Sequence, residues 1–203
     1  MAKGKLVDKW KTKNWYTVYA PEMFESREIA HLVAGDESSL INRRIQVSLA
    51  DLIGDMSQVY TILHFRITGV KGKSAYTKFI GHELSKSYLR TLVRRRRNII
   101  SEVVDATTKD GVPVRIKLNI FTARKASGRA RTATHLALVE ETKARAKEMD
   151  FSQLEQEIVF GKFPGRLFNR IKKIVPIKRV EVRKTEVAEV FKEVKETKEA
   201  KAG

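Results

Sequence analysis

Residues 98–125 read "NIISEVVDATTKDGVPVRIKLNIFTARK". Val112, Val114, Ile116, Leu118 and Ile120 are apolar at every second position, the period of a strand whose side chains alternate between two faces. Asp110-Gly111 is a dipeptide that closes tight hairpins, because both positions tolerate positive φ. The stretch therefore folds back on itself as an antiparallel pair. One side of it packs, and the other presents Arg115, Lys117 and Asn119 outward.

Just before the hairpin, residues 85–97, "SKSYLRTLVRRRR", are predicted to form a helix. Tyr88, Leu89, Leu92 and Val93 would share its apolar face. Lys86, Arg90, Arg94 and Arg97 would line the opposite one at i, i+4, i+8 and i+11. Arg95 falls between faces, and Arg96 lands on the apolar side, where it snorkels or ends the helix. Further back, "RRIQVSLADL" (43–52), "QVYTILHFRITGV" (58–70) and "AYTKFIGHEL" (75–84) read as strands. In the second of these, Val59, Thr61, Leu63, Phe65 and Ile67 form one face. "NWYTVYA" is extended and stops at Pro21, with Trp15, Thr17 and Tyr19 alternating against Tyr16 and Val18. Residues 22–33 read as a short helix. Beyond the hairpin, residues 130–150 and 151–175 carry helical spacing, broken at Gly161, Pro164 and Gly165, and "PIKRVEVRKTEV" alternates again.

These elements specify an α+β chain. It combines a mainly antiparallel twisted sheet or partial β-barrel with an inserted helix and C-terminal helices. Residues 1–13 form a basic N-terminal arm, residues 14–184 a single α+β domain, and residues 185–203 a Lys/Glu-rich tail with no core-forming content after Val194.

Charge says what such a domain meets. The formal charge is +17, from 41 Lys and Arg against 24 Asp and Glu, with a pI near 10.1. A field that positive attracts polyanions. Its distribution is more telling than its size. Residues 3–13 hold Lys3, Lys5, Lys9, Lys11 and Lys13 against Asp8. Residues 86–97 and 115–131 hold no acid at all, and the nine basic residues of 162–184 face Glu181 alone. The tail, by contrast, balances its lysines with glutamates. A chain that carries charge only for solubility or heat tolerance pairs it in that way. Here acids are excluded from four segments, as a polyanion-binding surface requires.

The candidate contacts are those five lysines, then Lys71 and Lys73, then Lys86, Arg90, Arg94, Arg95, Arg96 and Arg97. Arg115, Lys117, Arg124, Lys125, Arg129 and Arg131 follow, and last Arg166, Arg170, Lys172, Lys173, Lys178, Arg179 and Arg183. Arginine forks would bridge phosphates, and the arm would order on binding. Trp10 is placed to stack on bases, and Trp15 to anchor the arm to the core. No zinc finger, zipper or helix-turn-helix is present, and charge spread over several faces favours RNA over DNA.

Other chemistries find little support. No apolar run approaches the roughly 20 residues that span a bilayer, and the opening "MAKGKLVDKWK" lacks a leader's apolar stretch. There is no cysteine, hence no disulfide, thiol nucleophile or cysteine-ligated zinc. "VKGKS" ends like a phosphate-binding loop, but Ile67 stands where its first Gly belongs and a strand follows, so it reads as a basic hairpin turn. His31, His64, His82 and His135 are scattered without ligand spacing. Asp51 and Asp55 could pair as in a nuclease, yet "ADLIGDMS" reads equally as a capped turn. No cofactor is expected. The alternatives kept open are an RNA-processing nuclease and a DNA-binding architectural protein.

Four segments in order, "KNWYTVYAPEMF" (13–24), "VSLADL" (47–52), "LVRRRRNIISEVVDATTKDG" (92–111) and "IKRVEVRK" (177–184), resemble the archaeal and eukaryotic small-subunit ribosomal protein family called three-a-e, also counted as protein one of that subunit. The likeness spans about residues 11–184, and the brief arm and tail resemble the archaeal form. It implies a structural, non-enzymatic protein of the subunit platform. Such a protein would bind the 3′ region of small-subunit rRNA beside neighbouring ribosomal proteins, near the mRNA exit, with possible contact to mRNA. It further implies support of subunit assembly and initiation, and a cytoplasmic, ribosome-associated location without membrane contact. Eukaryotic members are less arginine-rich where residues 94–97 stand, so individual contacts there do not transfer.

Overall fold

The turn at 110–111 forms as its residues dictate. Gly111 adopts φ 74°, open to glycine at no steric cost, and its N–H donates to the Thr108 carbonyl. A computed structural model of the chain describes Trp10 and residues 13–187. The strands are β1 (Asn14–Tyr19), β2 (Glu28–Ala34), β3 (Arg44–Ser48), β4 (Thr61–Lys71), β5 (Ser74–Leu84), β6 (Ile99–Thr107), β7 (Pro113–Thr122) and β8 (Ile177–Val187). The helices are α1 (Leu49–Ile53), α2 (Lys86–Leu92), α3 (Gly128–Glu148), α4 (Phe151–Val159) and α5 (Lys162–Ile171).

All eight strands join one open sheet, so the fold is α+β, without closure into a barrel. Every pairing is antiparallel except β1 with β5. Strand β5 lies along β4 on one edge. On its other edge it meets β1 at residues 74–76 and β8 at Glu83. It thus joins two halves. In one, Val104, Ile116, Leu118, Ile120, Val180 and Val182 pack under α3, α4 and α5 through Leu138, Leu154, Phe163 and Leu167. In the other, Phe24, Leu49, Leu63, Phe65 and Phe79 pack together, with Phe24 edge-on to Phe65. Phe151 touches both cores.

A buried polar knot ties the halves. Thr185 on β8 passes so close to β5 that a Cβ on Gly81 would sit 2.1 Å from the Thr185 carbonyl oxygen, so only glycine fits. The His82 N–H donates to Thr185 Oγ1 at 3.1 Å, and that hydroxyl donates to Glu155 Oε2 at 3.1 Å. His82 Nε2 lies 3.2 Å from the Val182 carbonyl oxygen. Glu155 is fully buried on α4; its Oε2 takes the Thr185 hydroxyl with His82 Nδ1 3.6 Å away, while its Oε1 has no partner among the described residues.

Four expectations change. Residues 22–33, read as a helix, form a 3-10 turn at Glu22–Phe24 and then β2. The extended β1 takes residues 28–34 as its edge partner, matching Trp15 to Val33 and Thr17 to His31. Leu49, read in a strand alternation, starts α1 instead, because Ser48 Oγ accepts the Ala50 N–H and caps a helical turn. The helix read over 85–97 stops at Leu92. Val93 is extended and Arg96 takes a left-handed φ of 61°, so four adjacent guanidinium groups form a turn rather than a helical stripe. Pro164 does not break a helix but sits in the first turn of α5, where its missing N–H is not needed.

Candidate nucleic-acid interface

Antiparallel order decides where the basic segments meet. The start of β6, the end of β7 and the start of β8 lie at one end of the sheet. Residues 94–97, 123–131 and 172–178, far apart in sequence, therefore share a rim. Asn98 fastens it: its N–H donates to Thr122 Oγ1 at 2.8 Å, and its Oδ1 accepts the Ala126 N–H at 3.0 Å. The Ala123 N–H donates to the Pro176 carbonyl at 2.9 Å. Helix α2 is laid over the same end by Tyr88, which stacks on Tyr60 at 3.9 Å and donates to Glu181 Oε1 at 3.0 Å. Burial, and then the Glu181 carboxylate, push the Tyr88 phenol above its ordinary range.

The cations divide by whether they have a carboxylate. On or beside this rim, Lys86, Arg90, Arg94, Arg95, Arg96 and Arg97 make no ion pair with described residues. Nor do Arg124, Lys125, Arg129, Arg131, Lys172, Lys173, Lys178 and Arg183. All are exposed except Arg97, which is half-buried and keeps a buried Nη1 with no acceptor among the described residues. At the other end of the same strands the charges cancel. Arg115 donates two hydrogen bonds to Asp105, at 2.6 and 3.0 Å, holding that carboxyl below its usual range. Lys117 meets Glu186 at 2.8 Å, while Lys184 meets Glu83 at 3.1 Å and Glu186 at 2.9 Å. Hydrogen bonds from Lys117 and Lys184 lower the Glu186 carboxyl. On α5, Arg166 faces Glu157 at 3.5 Å and Arg170 faces Glu141 at 3.9 Å, and at the rim end of β8 Arg179 binds Glu181. So Arg115, Lys117, Arg166, Arg170 and Arg179 sit in acid-free runs of sequence, yet each has an acid from another element.

A second basic site lies at the far end of β5, about 30 Å away at some 3.3 Å per residue. Lys71 and Lys73 occupy the β4–β5 hairpin, whose Lys73 carbonyl accepts the Thr17 N–H at 2.9 Å. Lys71 lies 6.0 Å from the Tyr76 ring, and Lys13 lies 4.2 Å from the Trp10 ring. Trp15 is not an anchor in the core. It is 65% exposed, whereas Tyr16 and Val18 are the buried face of β1. Lys3, Lys5, Lys9 and Lys11 lie outside the described residues.

The other motifs resolve into ordinary structure. "VKGKS" is the two-residue hairpin between β4 and β5, with no helix N-terminus beside it. Asp51 lies on the capped α1 and Asp55 in the loop after it. Among the described residues no group of three His, Asp or Glu could hold a metal ion. No described helix is long and apolar enough to cross a membrane.

Comparison with known proteins gives a consistent result. The model of the Ribosomal S3Ae family matches residues 1–190. The small ribosomal subunit protein eS1 of Saccharolobus solfataricus is 41% identical over 187 residues, covering 92% of this chain and 90% of that protein. The eS1 of Sulfolobus acidocaldarius is 41% identical over 181 residues, covering 89% and 92%.

Proposed function

This chain belongs to the Ribosomal S3Ae family and is a structural, non-enzymatic protein of the small ribosomal subunit, and on that premise we propose that its uncompensated rim is the surface that clamps rRNA. The guanidinium groups of residues 94–97 would bridge phosphates of adjacent RNA segments, with Arg124, Lys125, Arg129, Arg131, Lys172 and Lys173 extending the contact. Lys13, Lys71, Lys73 and the basic arm 1–13 would grip RNA some 30 Å away, at the far end of β5. One rRNA-binding domain would carry both contacts; expected over residues 14–184, it runs on to Val187, because Thr185 is buried in the knot and Val187 pairs with Val114. The resemblance in sequence points to the 3′ region of the rRNA on the platform, near the mRNA exit, among neighbouring ribosomal proteins. Support of assembly and initiation would follow from bridging RNA there.

The observation that carries this reading is the imbalance of charge along β7 and β8: at the far end Arg115, Lys117 and Lys184 each have a carboxylate, whereas on and beside the rim Arg179 has one and fourteen other cations have none among the described residues. Fourteen uncompensated cations clustered for solubility alone would repel one another, and phosphates relieve that repulsion. The absence of cysteine makes a direct test simple. A single cysteine placed at Arg95 or at Lys109, tethered to a hydroxyl-radical source, would be assembled into small subunits. Cleavage of rRNA from position 95, within its 3′ portion, and little from position 109 is the expected result. Equal cleavage from both positions, or cleavage from 109 alone, would overturn the assignment.

A further inference from the structure

Helix α2 does not seal the sheet it covers. Between them lies an open cavity of about 250 Å³, lined on its apolar side by Leu89, Val93, Ile99 and Phe121. Val93 and Ile99 are 47% and 42% exposed. Asn119 opens into the same cavity. It is only 9% exposed, yet its amide makes no hydrogen bond with described residues. Its amide atoms are not sealed from solvent, so two donors and two acceptor lone pairs stand available to a ligand at the mouth. Lys86, Arg90 and Arg183 line it as well, all without carboxylate partners among the described residues.

We propose that this cavity receives one unpaired, everted nucleobase of the bound RNA, held by the Asn119 amide, while Lys86, Arg90 and Arg183 hold the phosphates on either side. The proposal rests on the RNA-binding reading given above. A base is a flat apolar body with a polar edge, which is what apolar walls and one amide accommodate. The volume falls below the roughly 300–1,000 Å³ of drug-sized pockets, so the base enters and its ribose and phosphates stay outside among the cations. A paired base could not serve, because its faces are stacked between neighbours and it cannot enter the cavity. The ligand is therefore a loop, bulge or single-stranded nucleotide. Adenine matches the amide in a bidentate way, presenting a donor next to an acceptor.

The test uses the full chain bound to full-length small-subunit rRNA, with base-specific chemical probing alongside a backbone footprint. The expected wild-type result is one unpaired base whose modification falls about tenfold on binding. Asn119→Leu keeps the apolar volume and removes the amide; it should restore reactivity at that base alone, leave the backbone footprint in place and not lower Tm. Val93→Trp, which fills the cavity from its exposed wall, should restore the same base. Identical base protections in wild type and both variants would overturn the proposal, as would a footprint on the backbone with no protected unpaired base, the result expected if a protein side chain fills the cavity. A large drop in Tm for Asn119→Leu would overturn it too, by making the amide structural. Loss of any footprint in the wild type would instead sink the RNA-binding reading itself.

Discussion

Replacing Arg94, Arg95 and Arg96 together by glutamine should flatten the salt dependence of rRNA binding, and the structure says by how much. Each of the three is exposed and free of carboxylates among described residues, so each is available to neutralise one phosphate. Each phosphate contact contributes roughly 0.9 to the slope of log K against log salt on a duplex and roughly 0.7 on a single strand. Removing three contacts should make the slope shallower by about 2 to 3. Between 50 and 200 mM salt the wild type should then lose about 20- to 40-fold more affinity than the variant. The matched comparison is Arg115→Gln, Lys117→Gln and Arg170→Gln, which removes the same charge from residues that already have Asp105, Glu186 and Glu141 beside them. That variant should keep nearly the wild-type slope. Filter binding to small-subunit rRNA from 50 to 300 mM potassium chloride measures both, with melting curves to confirm folding. Equal flattening by the two triple variants would refute the argument that pairing, rather than charge count, decides which cations meet RNA.

Gly81→Ala should be severely destabilising. Its Cβ would sit 2.1 Å from a backbone oxygen, and parting β5 from β8 breaks the hydrogen bonds of His82, Thr185 and Glu155. Overpacking of about 1–3 kcal/mol and unsatisfied buried groups of a similar size imply a Tm lower by roughly 6–12 °C or more, and an unchanged melting curve would contradict the close approach. Burial, aided by the charges of Lys184, His82 and Arg44 and opposed by Glu83, holds the His64 pKa below its ordinary 6.5. The unfolded chain then takes up this proton first, so a penalty absent above pH 6.5 grows as the pH falls through it, at no more than about 1.4 kcal/mol per pH unit. Melting curves from pH 7.5 to 5 should show a shallower loss of Tm for His64→Gln; parallel curves would remove His64 from the acid response. Trp15→Ala should leave Tm within about 2 °C of wild type, since exposed substitutions rarely exceed about 0.5 kcal/mol. A drop typical of a core residue would place that indole inside.

The sheet was largely readable where alternation is strict. Val114, Ile116, Leu118 and Ile120, with Asp110-Gly111 behind them, could hardly do anything but form the hairpin, and all four are buried. Where the local signal is helical and the partner is distant, reading fails: "EIAHLVA" is rich in helix formers and is a strand only because β1 needs an edge. Alternation in β1 also could not say which face is inside, which is why Trp15 came out exposed. The same blindness affects the site. A window along the chain shows Arg115 and Lys117 without acids, but the antiparallel register sets Asp105 opposite Arg115, and β8 brings Glu186 to Lys117. The rim itself depends on Asn98, and the cavity on Asn119, single residues with no pattern around them.

The strand β8 is the last of the described strands in the chain and yet lies in the middle, between β5 and β7. While the chain is being synthesised, the unit β1–β5 and the β6–β7 hairpin can each form, but the sheet has no hydrogen-bonded bridge between them. Both inner edges stay open to misplaced strands until residues 177–187 arrive. Lys178 comes with that segment and Pro176, which accepts the Ala123 N–H, immediately before it, so the basic surface is whole only once residues 176–187 have been made. Order of synthesis thereby becomes a check on completeness: a prematurely terminated copy presents neither a closed sheet nor a finished surface for assembly.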